Sequence, residues 1–333
     1  MNESKLVDEL LMLMRKVSLF TEEVARQKQE HVQSKQDYSP VTIADYGAQI
    51  LVGYWLSQNY SGDALIAEES SKALLESGEQ NFLENLYQLL SLYENNLKKE
   101  HILQYLDFNS DITNPKSFWV LDPLDGTKGF LRGDQYAISL AYIKDRVLEL
   151  GVLACPRLRL PNIIKTDTAG CVFFAQKGRG AWVTSLVDKA EWFPIHVSEC
   201  TRFEDARLLR SYESKHTNLR DTEQFLLKSR ITKSVPIDSQ VKYGLLASGE
   251  GEIILRFPPE ENPEYREKIW DHAGGAIVLE EAGGKVTDVR GASFQFNGDP
   301  LLKNSIGVFA SNGYLHHLGL EILKEILQHE RKG

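Results

Sequence analysis

Five places in the sequence gather side chains that could do chemistry together: Asp37; Glu68 with Glu69; the run Asp122-Pro123-Leu124-Asp125-Gly126-Thr127; Asp271; and the segment from Ser239 to Arg256. The third is the densest. Trp119, Val120 and Leu121 lead the chain toward a core, and two carboxylates then meet a proline, a glycine and a hydroxyl. Unpaired carboxylates in such a place are costly, and hard divalent cations, which take oxygen ligands, are the usual remedy. Pro123 restricts one backbone angle and Gly126 permits a close turn, so both acids and a carbonyl can face a common centre. Asp, Pro and Gly are also ordinary turn residues; the other acids and the Thr-Lys-Gly-Phe that follows favour the cation reading. Asp271 stands at an expected helix start, where it can cap the helix and face a metal. His272 is read as structural, because hard divalent cations prefer oxygen. Lys242 offers a point charge and Arg256 a directional fork, both suited to phosphate.

The elements that must position these groups follow from periodicity. Leu6, Leu10, Leu13, Val17 and Phe20 recur at helical steps, predicting a helix over residues 3–31. A second helix is expected after Thr42, with Asp45 in its first turn. The run Ala64-Leu65-Ile66-Ala67 reads as a buried strand delivering Glu68 and Glu69 at its end. Residues 70–108 are charged, leucine-rich and without proline, which predicts a helical insertion acting as cover or lid. Ser117 to Leu121 reads as a strand that stops at Asp122, followed by strands over 136–143 and 147–155. Pro156 and Pro161 mark an expected boundary, giving an N-terminal lobe (1–155) with most of the candidate ligands and a C-terminal lobe (156–333) with Asp271. In the second lobe, strands are expected over 170–175, 181–184, 207–211 and 252–257, with helices over 221–228 and 271–281; Gly283-Gly284 ends the last helix.

Bulk properties bound the partners. The 333 residues are 42% hydrophobic and 26% charged, as in a soluble globular chain, and the formal net charge is −9. That charge argues against binding a nucleic-acid polymer, whose affinity rests on Lys and Arg neutralising phosphates. A small phosphate ligand remains open, since a bound cation supplies local attraction. Cys155, Cys171 and Cys200 form no CxxC pair, so reduced thiols are expected. No run approaches the roughly 20 apolar residues of a membrane span, and the first residues suit an amphipathic helix better than a targeting peptide. A cytoplasmic location with no membrane partner is the expectation.

The stretch WVLDPLDGTKGFLRGDQYAISLA resembles the first metal-binding motif of the lithium-sensitive, magnesium-dependent phosphatase superfamily that includes inositol monophosphatase, and IWDHAGGAIVLEEAGGKVTD resembles its second. Within that superfamily the chain is similar to the 3′(2′),5′-bisphosphate nucleotidases, through Thr127–Gly133, Ser39-Pro40-Val41-Thr42 ahead of Asp45, and Asp238–Tyr243. The resemblance runs from about residue 5 to residue 313. It implies a layered α-β-α-β-α sandwich of α+β and α/β lobes, the inositol monophosphatase-like sugar phosphatase fold. It also implies two or three Mg2+ ions held by Glu68, Asp122, Asp125, Asp271 and the Leu124 carbonyl, with Glu69 in support. Asp37 and Thr127 match the pair that holds and activates the attacking water. Ser239, Lys242 and Arg256 match contacts to the nucleotide and its 5′-phosphate, Ser214 and His216 a polar loop near it, and Thr127 and Asp271 also face the substrate.

The implied reaction is removal of the 3′-phosphate of adenosine 3′,5′-bisphosphate by direct in-line attack of metal-activated water, without a phosphoenzyme. Activity on 3′-phosphoadenosine 5′-phosphosulfate, sensitivity to lithium and a monomeric state are linked expectations. The alternatives are an inositol phosphate phosphatase and an inactive nucleotide sensor. Two departures from the pattern stand out: Ala67 where glycine commonly precedes the paired acids, and Asn297-Gly298-Asp299-Pro300 where a Gly-Arg pair is common.

Overall fold

The computed structural model describes residues 3–30, 40–76, 82–113, 115–165, 168–187, 191–212 and 217–330. In chain order the elements are α1 (Glu3–Glu30), α2 (Pro40–Asn59), β1 (Ala64–Ala67), α3 (Ser71–Glu76), α4 (Phe82–Ser91), α5 (Ile102–Leu106), β2 (Ser117–Asp125), α6 (Thr127–Arg132), β3 (Ala137–Lys144), β4 (Val147–Cys155), β5 (Cys171–Gln176), β6 (Gly180–Ser185) and β7 (Phe193–Ile195). There follow β8 (Arg207–Arg210), α7 (Leu219–Ser229), β9 (Lys233–Pro236), α8 (Val241–Ala247), β10 (Ile253–Arg256), α9 (Ala273–Glu281), β11 (Lys285–Thr287), β12 (Val308–Ser311) and α10 (His316–Glu330). Strands β1 to β7 form one sheet in sequence order, and the other five form a second, ordered β11-β12-β10-β8-β9.

Alternation along the strands sorts side chains into three cores and thereby sets five layers. Trp119 and Leu121 join α1, α2, α4 and α5 on one face of the first sheet, while Phe118 and Val120 face α8 and α9. In the second sheet Leu209, Ile254 and Ala310 meet that same middle layer, and Leu208, Leu255 and Phe309 pack with α7 and α10. The order is helix, sheet, helix, sheet, helix, as the resemblance implied. The middle position explains the composition of α9: every residue from Ala273 to Leu279 is buried, so AGGAIVL is apolar all round rather than on one stripe. Its small residues admit close neighbours. A Cβ on Gly151 of β4 would overlap the Ile277 side chain and lie 2.8 Å from the Gly274 carbonyl oxygen.

Several sequence expectations are corrected. The strand through Ser117 does not stop at Asp122; β2 runs through Pro123 to Asp125, with a register shift that sets Asp122 opposite Ser139 and Asp125 opposite Ala137. A bulge accommodates a proline that a regular ladder would exclude. Helix α2 begins at Pro40, placing Asp45 beyond its first turn, and proline suits a first helical position. The boundary expected at 155/156 is not where the sheets change: β5 to β7 continue the first sheet, and the second begins at Arg207. Pro156 follows a strand end at Cys155, after which the chain returns to pair β5 with β4.

Candidate active site

Parallel pairing of β1 with β2 puts Ala67 beside Leu121, so the next residues along, Glu68 just past the end of β1 and Asp122 within β2, lie side by side. Their carboxylates lie close enough for each to shift the other's proton affinity. Asp122 Oδ1 accepts from the Leu124 amide (3.1 Å), which folds the bulge back on itself. Gly126 then takes the left-handed region at φ 91°. A Cβ there would come within 2.9 Å of Ser239, so the glycine serves a close approach as well as a turn. Thr127 opens α6 and donates weakly to the Leu124 carbonyl (3.4 Å).

Asp271 reaches the same place from the other end of the chain. It lies just ahead of α9, whose cap position is His272, and His272 makes no side-chain capping bond; the expected capping role of Asp271 is therefore not observed. Burial raises the Glu68 carboxyl to about 7, with Asp271, Glu69 and Asp125 adding to the rise. Burial likewise raises Asp271 to about 6 and pushes Asp122 well up, the neighbouring acids reinforcing both. Asp125 is raised by burial against the pull of Lys242. Four carboxyls raised by burial in this way fit hard divalent cations, which would supply the missing positive charge through oxygen ligands. Among the described residues, the group whose ligating atoms all lie within 4.8 Å of one another is Glu267, Asp271 and His272.

Glu69 lies against Gln49 and Tyr46. Its backbone exchanges hydrogen bonds with the Gln49 side chain (2.8 and 3.1 Å), and its carboxylate bonds to Tyr46. Behind it lies the buried Asp45, raised to about 9 by burial and then by Glu69 and Glu68.

A cavity of about 390 Å³ opens beside the acids, lined among others by Asp125, Thr127, Ser239, Lys242, Arg256 and Asp271. The sequence-predicted contacts thus meet the acids at one opening. Lys242 Nζ donates to the Ile237 carbonyl (3.3 Å), and burial lowers its amine to about 8. Arg256 pairs with the fully buried Glu267 (3.2 Å) and lies over the Tyr265 ring. The His272 ring is held on both sides: Nδ1 bonds Tyr243 Oη (2.9 Å) and Nε2 bonds Glu267 (3.2 Å). Asp37, Ser214 and His216 lie outside the described residues.

Sequence reasoning missed the burial of Glu267 and Asp45 and the hydrogen bonds of the Gln240 side chain. Glu267 stands four residues before Asp271 in an irregular segment, where no periodicity marks it as buried. Gln240 sits inside the quoted Asp238–Tyr243 motif, but an amide there gives no charge signal.

The chain belongs to the inositol monophosphatase family, whose model matches residues 4–328. An IMPase of Thermotoga maritima shares the fold, with a TM-score of 0.63 at 20% identity over 98% of this chain and 99% of that one. Sequence relatives narrow the place within the family. A 3′(2′),5′-bisphosphate nucleotidase of Oryza sativa is 41% identical over 323 residues, 91% of this chain and 89% of the relative. The 3′(2′),5′-bisphosphate nucleotidase 1 of Arabidopsis thaliana is 42% identical over 275 residues, 77% of each chain. At this identity and coverage the chain falls among the 3′(2′),5′-bisphosphate nucleotidases.

Proposed function

We propose that the protein is a magnesium-dependent phosphomonoesterase that hydrolyses the 3′-phosphate of adenosine 3′,5′-bisphosphate to AMP and phosphate, and that it also accepts 3′-phosphoadenosine 5′-phosphosulfate. The observation that supports the reading is a cavity whose wall holds Asp125 and Asp271 together with Lys242 and Arg256, with Glu68 close enough to both acids for their charges to raise its carboxyl. Two or three Mg2+ ions, held by those acids with the Leu124 carbonyl, would supply charge neutralisation on the phosphate and lower the pKa of water. The chain's own groups do the rest. Asp37, with Thr127, orients the attacking water and takes its proton. Lys242, Arg256 and Ser239 hold the second phosphate, so the scissile ester is placed against the acids and positioning carries much of the rate. Apolar residues of the cavity, Leu219 and Val308 among them, offer a face for the nucleoside.

In this reading the N-terminal part of the chain supplies most ligands, and the C-terminal part supplies Asp271 and the nucleotide contacts. The enzyme works as a cytoplasmic monomer. Among the described residues no helix is long and apolar enough to cross a membrane. The test is Asp37→Asn: nucleotide binding, measured by calorimetry, is expected to persist while turnover falls about 100-fold or more. Unchanged hydrolysis at neutral pH would remove Asp37 from the role given to it.

A further inference from the structure

We infer that Gln240 is a positioning residue for the metal-binding acids, locking the loop that carries Asp271 to the strand end that carries Asp125. The inference rests on the reaction proposed above only in taking those acids as cation ligands.

The side chain of Gln240 is buried, with 2% of its surface exposed. An amide offers a two-lone-pair acceptor and two donors. Here Oε1 accepts from both Ser139 Oγ (3.0 Å) and the Gly275 amide (3.0 Å), while Nε2 donates to the Trp270 carbonyl (2.9 Å). Trp270 and Gly275 bracket Asp271, so the carboxamide grips both sides of the turn that aims it. Ser139 is the β3 residue registered with Asp122 on β2, which anchors that grip to the first motif. The main chain completes the lock: the Gln240 amide donates to Asp125 Oδ2 at 2.6 Å. Ser239 holds this turn in the left-handed region, φ 68°, where a residue with a side chain is disfavoured unless its surroundings fix it.

Acids delivered from distant parts of the chain repel one another, so their spacing must come from the scaffold. The small residues around Gln240 leave little slack. A Cβ on Gly274 would overlap Ser139 Oγ, and one on Gly275 would overlap the Tyr243 ring. An apolar side chain at 240 would leave the Gly275 amide, the Ser139 hydroxyl and the Trp270 carbonyl without this partner in a buried place. The Asp271 turn would then be free to shift against Asp125.

The experiment uses the full chain with Gln240→Met, of similar length, and Ser139→Ala, which removes one bond to Oε1. Mg2+ binding is measured by calorimetry without nucleotide, alongside thermal melting and the Mg2+ dependence of kcat and KM. For Gln240→Met, Mg2+ affinity is expected to fall about 10-fold or more, the range seen when groups that orient metal ligands are lost. The Mg2+ concentration for half-maximal activity should rise in step, with KM for the nucleotide at saturating Mg2+ within about twofold of the parent. Ser139→Ala should move Mg2+ affinity in the same direction by less. A folded Gln240→Met protein with parental Mg2+ affinity overturns the inference, even if it melts lower, because a purely structural role would change melting alone. Should Gln240→Met not fold, parental Mg2+ affinity in Ser139→Ala overturns it. If the parent binds Mg2+ but hydrolyses no nucleotide, the proposed reaction fails while the calorimetry still decides the role of Gln240.

Discussion

Burial pushes the Asp271 carboxyl up to about 6, and Asp125 and Glu267 add to the rise against His272 and Arg256. Its folded value thus lies above the 3.8 of an exposed aspartate. In metal-free protein the stability tied to this proton is fully present below that value and is lost as pH rises through about 6. Asp271→Asn should therefore melt higher than the parent in chelator at pH near 8, by on the order of 1 kcal/mol, with the difference shrinking toward pH 4. The same change is expected to cut Mg2+-dependent turnover about 100-fold or more. Paired melts and initial rates check both; a variant that melts lower at pH 8 contradicts the electrostatic reading. Asp122, Asp125 and Asp271 were legible because each stands where an apolar run meets a short motif. Asp45 and Glu267 were not. Each is a single acid whose burial arises only when other elements close over it, and no local pattern records that.

At the scale of elements, the seat of α9 decides where Asp271 lies. Gly151 lets β4 approach that helix, and an added methyl would meet Ile277 and the Gly274 carbonyl. Alanine favours an extended chain more than glycine does, yet overpacking costs about 1–3 kcal/mol and should win. Gly151→Ala is thus expected to lose stability of that order in urea denaturation and to weaken Mg2+ binding; parental values for both would show that the contact yields. Strong periodicity made the strands around the site readable. The end of β2 was misjudged because Pro123 looks like a terminator, whereas a bulge at the sheet's end tolerates it. The sheet change was misplaced for a related reason: Pro156 punctuates the chain locally, and strand pairing beyond it is a long-range matter.

For the whole molecule, the acid limb of stability has a contributor that does not line the cavity. His316 joins Ser311 and Thr287 by hydrogen bonds of 2.9 and 3.2 Å, and burial, then Lys285, lowers it to about 4. The unfolded chain takes this proton first, so the stability is present above about 6.5 and is lost as pH falls from there through about 4. His316→Gln should flatten that part of the urea-denaturation profile; an unchanged slope between pH 6.5 and 4 would contradict it. The five-layer arrangement was legible only through resemblance, because alternation tells which side chains share a face and not which layer that face meets. The most direct measurement is phosphate release from adenosine 3′,5′-bisphosphate, inositol 1-phosphate and inositol 1,4-bisphosphate, each with and without Mg2+. The account predicts the highest kcat/KM for the nucleotide and its loss in chelator. A higher kcat/KM for either inositol substrate, or nucleotide hydrolysis indifferent to Mg2+, would contradict it.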